Sequence, residues 1–130
     1  MKALLTATAI LEGLTGFSLL VMPSLTVSLL VGAEIGESAG LVVGRVAGAA
    51  IFALAIACWQ ARGGERVGPA AGVVAAMLFY NAVVASILVF AGLRLGLQSA
   101  LTWPVIVLHS VLAVWCLLIL SRTRTKLAKI

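Results

Sequence analysis

Four long apolar stretches, at about residues 3–22, 39–61, 69–91 and 101–120, constrain this chain more than anything else in it. Each matches the roughly 20 residues that a helix needs to cross the hydrocarbon core of a bilayer. Within lipid every backbone N–H and C=O has to be satisfied inside the segment, which favours helices over open sheet or loop. The stretches and their short connections use nearly all of the 130 residues, leaving no room for a soluble domain of useful size. Composition agrees, with 63% of residues hydrophobic and 10% charged, where soluble domains carry about 25% charged residues. The expected fold is all-α: an integral membrane four-helix antiparallel bundle, forming a single transmembrane domain over 1–130.

Punctuation sets the boundaries. Pro23 pushes the residue before it out of the helical region and so ends the first helix. Ser24 offers an N-cap for a short segment, 24–31, too short to span and expected to lie flat at the interface as a lid on the bundle. Gly63, Gly64 and Gly68 mark a turn, after which Pro69 suits the first turn of the third span. The last span runs into a basic tail over 121–130.

Charge orients the bundle. Four crossings put both termini and the 62–69 connection on one side. That side carries Lys2, Arg62, Arg66, Arg122, Arg124, Lys126 and Lys129, whereas the opposite loops carry Arg94 beside Glu34 and Glu37. By the positive-inside rule both termini are cytoplasmic. The same bias accounts for the net charge of +5 without nucleic acid, since a basic tail sits well against anionic headgroups. Membrane lipids are therefore the first expected partners. Trp59 and Trp103, near opposite ends of spans, fit the aromatic belts. Glycines at 32, 36, 40, 44 and 48 form a small-residue stripe that lets another backbone approach, within the bundle or in a homodimer or larger membrane complex.

Several chemistries find no support. Cys58 and Cys116 form no CxxC pair. A single histidine and no aspartate give no metal-site spacing, and no cofactor motif is present. The opening Met1-Lys2-Ala3-Leu4-Leu5 superficially resembles a signal peptide, yet Glu12 interrupts the apolar run and no small-x-small cleavage site follows. The segment is expected to be retained as the first membrane helix.

Each span holds one strongly polar side chain: Glu12, Arg45, Asn81 and His109. From a rise of about 1.5 Å per residue, Arg45 lies roughly 9 Å below the outer surface and Asn81 and His109 roughly 12 Å. Glu12, counted from the other side, reaches roughly 16 Å. A charged residue at mid-bilayer costs about 2.5–3.5 kcal/mol on insertion scales, so these groups are expected to face inward together. A Glu12–Arg45 pair would relieve both charges, with guanidinium donors left for Asn81, a ligand or water. Thr8 and Thr15 widen the polar stripe around Glu12. Tyr80, beside Asn81, lines the same cavity or packs on a neighbouring helix. Two functions compete for the cluster: an ion pair that fixes helix register, and a site for a hydrophobic small molecule, a lipid headgroup or a proton. We take Glu12, Arg45, Asn81 and His109 as a ligand-binding set, with no catalytic or metal residues assigned.

The stretch Gly44-Arg45-Val46-Ala47-Gly48-Ala49-Ala50, with the run ending Cys58-Trp59-Gln60-Ala61-Arg62, resembles the second helix of DoxX-like small four-helix membrane proteins. Glu12-Gly13, Pro23 and the short segment closing on Gly32 are similar to their first hairpin. The resemblance covers the whole chain in layout. It implies a four-helix bundle in a bacterial inner membrane and says little about activity, and the cysteines do not support a thiol-redox version.

A second resemblance, through Ala9-Ile10-Leu11-Glu12 and Gly16, is to the small multidrug resistance transporters, which exchange protons for cationic drugs at such a glutamate. The strong charge bias and an intramembrane arginine depart from that pattern. An enzyme using Glu12 or His109 as general acid or base has suitable residue types, but no nucleophile–base pair can be assigned. A structural subunit packed through its glycine stripe is the fourth reading.

Overall fold

The computed structural model describes residues 1–64 and 68–127. Among the described residues there are five α-helices and no strand: α1 (Lys2–Val21), α2 (Pro23–Val31), α3 (Ser38–Ala61), α4 (Pro69–Arg94) and α5 (Thr102–Leu127). Four of them, all but α2, are long and apolar enough to cross a membrane. The helix α5 runs past the expected end of its span into the basic segment. Arg66 and Lys129 lie outside the described residues, as do the side chains of Arg124 and Lys126.

Local chemistry sets these limits. Met22 leaves the helical region with φ −133° and ψ 61°, as its position before Pro23 requires. Pro23 then serves as the first residue of α2, where its missing N–H costs nothing. At the far end Gly32 adopts φ +72° and its N–H returns to Ser28 O at 2.9 Å. This is the left-handed cap that glycine fills without a Cβ penalty. Two further terminal carbonyls of α2 are met from a distant part of the chain. Ser99 Oγ donates to Leu29 O, and Thr102 Oγ1 donates to Leu30 O at 2.7 Å. Helix ends leave such carbonyls without partners, so α2 is fastened to the start of α5.

The helices associate as two close pairs, α1 with α3 and α4 with α5, while α2 touches all four of the others. The first pair crosses at Gly16 and Gly48. A Cβ on Gly16 would stand 2.6 Å from Phe52 N, and one on Gly48 would stand 2.8 Å from Leu20 N. Only hydrogen fits at this crossing, which is the close backbone approach expected of small-xxx-small packing. Gly44 faces Pro23 and Gly40 faces Ile35, so the α3 glycines are used inside the chain. The apolar core joins the two pairs near the N-terminal end of α1, through Leu4, Leu5, Ala9, Cys58, Val74, Met77, Leu112 and Cys116. Both cysteines there are free thiols.

Candidate functional site

Three of the four polar residues singled out by sequence meet between the helix pairs, and Arg45 does not. On α1 the buried positions Leu5, Thr8, Ala9, Glu12, Gly16 and Leu19 recur at helical spacing, which carries Glu12 inward with only 3% of its surface exposed. On α4 the same logic aligns Val74, Met77 and Asn81, all buried. Arg45 follows Gly44, which faces Pro23, and one residue turns a helix by about 100°. Its side chain is therefore exposed. The expected Glu12–Arg45 pair is not formed: α3 offers α1 glycines and alanine, a surface too tight for a guanidinium.

Tyr80 stands where Arg45 was expected. Its hydroxyl donates to Glu12 Oε2 at 3.0 Å, linking α4 to α1. Its ring meets His109 edge-on, with centroids 5.8 Å apart and planes at 75°. His109 Nδ1 lies 2.7 Å from Asn81 Oδ1, and Asn81 Nδ2 donates to Met77 O at 2.7 Å. This arrangement assigns the imidazole. Because the Asn81 amide nitrogen is committed to a carbonyl, its oxygen faces His109 and Nδ1 must carry the hydrogen. The neutral ring then presents Nε2 as an acceptor. Glu12 Oε1 and His109 Nε2 have no hydrogen-bond partner among the described residues.

These groups border a cavity of about 250 Å³. Glu12, Thr15, Tyr80 and His109 supply its polar wall, and Leu11, Leu19, Ile51, Val84, Leu88 and Leu112 are among the apolar residues that complete it. Asn81 is behind this wall, holding His109. A second hollow under α2 shares Thr15 and Leu30 with the cavity and continues along Ser18, Thr26 and Leu101. Ser18 and Thr26 hydroxyls are 2.6 Å apart there. Thr8, one turn from Glu12, is fully buried, and its hydroxyl has no hydrogen-bond partner among the described residues.

No family model, curated protein or solved structure matches the chain.

Tyr80 is the residue of this cluster that sequence reasoning left undecided. One signal pointed to it: a buried phenol needs a hydrogen-bond partner, and this is the chain's single tyrosine, set in an apolar span. Adjacent helical positions diverge by about 100°, which lets Tyr80 reach α1 while Asn81 reaches α5. Chemically, the arrangement offers an uncommitted carboxyl oxygen and an imidazole acceptor on one side of an otherwise apolar chamber.

Proposed function

We propose that this chain is a multi-pass protein of a bacterial inner membrane, an antiparallel four-helix bundle of the DoxX-like type with both termini cytoplasmic, that binds a small hydrophobic molecule in its central cavity. The observation that carries this reading is the convergence of Glu12, Tyr80 and His109 on a single apolar chamber. Ionisable residues inside a membrane mark functional sites by default, and here they face a space rather than one another alone. The apolar wall takes the body of the ligand, and Glu12 Oε1 and His109 Nε2 take its polar head. A volume of about 250 Å³ is below the usual range of about 300–1,000 Å³ for drug-sized ligands. The guest is accordingly a compact molecule, such as one ring with a short tail, rather than a whole two-chain lipid.

Proton-coupled exchange is the second reading, and one observation favours it. With Arg45 turned outward, Glu12 has no arginine beside it to repel a cationic substrate. The charge bias toward one side still opposes a dimer of opposed orientations. The structural-subunit reading gains nothing from Gly44 and Gly48, which pack against α2 and α1 within the chain.

Native mass spectrometry of the protein in mild detergent tests the proposal. A small-molecule adduct should be present on the wild type and lost on Tyr80→Phe combined with Glu12→Gln. An adduct-free wild type, or one whose adduct survives that double change, sinks the ligand-binding reading. Transport that depends on pH and disappears in Glu12→Gln would instead establish the exchanger.

A further inference from the structure

A different face of the molecule carries an open apolar groove with a basic end. Along the outside of the α1/α3 pair runs an open apolar groove of about 480 Å³, walled by Ile10, Leu14 and Phe17 on one side and Phe52, Ile56 and Trp59 on the other. Gly13 forms its floor; a Cβ there would rest 3.7 Å from that of Ala55. At one end the groove meets a polar hollow of about 350 Å³ bordered by Lys2, Gln60, Arg62 and Gly63. Trp59 belongs to both. The Arg62 guanidinium carbon lies over the Trp59 ring, 3.4 Å from its centroid, and one of its N–H groups donates to Trp59 O at 2.7 Å. Stacking and capping together hold the guanidinium in place and leave its other donors for an anion. No carboxylate among the described residues borders the groove or the hollow.

We infer that this surface binds one anionic glycerophospholipid, its phosphate between Lys2 and Arg62 and one acyl chain in the groove. Length supports the assignment. From Lys2 to Phe17 the helix rises roughly 22 Å, about half the 40–45 Å of a whole bilayer and so the depth of one leaflet. Charge supports it too, since two basic groups meet the head while the rest of the surface is hydrocarbon. A zwitterionic headgroup gains little from the same pair. The site is separate from the central cavity and shares none of the residues that line it.

The test titrates dioleoylphosphatidylglycerol or dioleoylphosphatidylcholine into the full-length protein in mild detergent and counts bound lipids by native mass spectrometry. Each basic side chain near an anionic surface is worth about a fivefold gain, so the pair should favour phosphatidylglycerol by about twenty-five-fold. Replacing Lys2→Gln together with Arg62→Gln should erase that preference, and Arg62→Lys should retain part of it. Gly13→Leu, which fills the groove, should weaken retention of both lipids. Equal retention of the two lipids by the wild type overturns the inference. So does a preference that persists in the double glutamine variant, which would move it to the basic tail, or a dimer peak in place of the lipid adduct. Glu12→Gln with Tyr80→Phe should leave the preference intact, so the cavity and the groove fail or stand independently.

Discussion

The Tyr80 hydroxyl reaches across the gap between helix pairs and donates to Glu12 Oε2 at 3.0 Å, a bond between residues 68 positions apart. Glu12 therefore depends on a neutral donor from α4 for a role that an arginine was expected to fill. Removing the donor leaves a buried acceptor unsatisfied, and an interhelical hydrogen bond in a membrane is worth about 0.6 kcal/mol on average and about 1.7 kcal/mol at most. Tyr80→Phe should destabilise within that range in a reversible unfolding titration. In a double-mutant cycle with Glu12→Ala the two changes should couple by at least about 0.5 kcal/mol. Strict additivity would show that the bond contributes nothing.

Arg45 provides the complementary prediction. Exposed and one residue beyond the glycine that faces Pro23, it should tolerate Arg45→Ala with a stability change within about 0.5 kcal/mol. Any adduct held in the cavity should survive the change. A loss as large as that of Glu12→Ala would mean that the ion pair does form.

His109 can be read spectroscopically. With Asn81 Oδ1 facing its Nδ1, nitrogen chemical shifts should report a single neutral tautomer, hydrogen on Nδ1. Asn81→Leu removes the acceptor and should yield a tautomer mixture. Its stability cost should be near 0.6 kcal/mol, a typical value for interhelical hydrogen bonds in membranes. A ring with its hydrogen on Nε2 in the wild type would contradict the assigned amide orientation.

The glycine crossing should show a sharp positional contrast. Gly48→Ala places a methyl 2.8 Å from Leu20 N, so the helices must separate, at about 1–3 kcal/mol. Gly72→Ala on α4 meets nothing within 4 Å and should be neutral or stabilising by up to about 1 kcal/mol, the helix-propensity gain over glycine. Comparable losses at both positions would remove the special status of the crossing.

Much of this was legible in the residues. Run length and hydropathy located all four long helices, because crossing a bilayer demands a length that few other structures share. Pro23, Gly32 and Pro69 marked turns for reasons internal to their own backbones. The polar layer was visible as height, since rise per residue is nearly constant. What height does not give is azimuth. Arg45 was expected at a matching depth and is exposed, because the orientation of α3 is decided by Gly44 and Gly48 against α1 and α2. The choice of Tyr80 over Arg45 was illegible for the same reason: it depends on how one helix pair is rotated against the other, and no local spacing encodes that. The Ser99 and Thr102 contacts with α2 join positions about seventy residues apart and leave no trace in either segment alone.

Those two hydroxyls bear on timing. They tie α2 to the second helix pair even though α2 follows the first in the chain, and the hollow beneath it shares Thr15 and Leu30 with the central cavity. A guest that enters on that side would leave only as fast as Ser99 and Thr102 let go, so its residence time is governed by a pair of carbonyl contacts that never touch it.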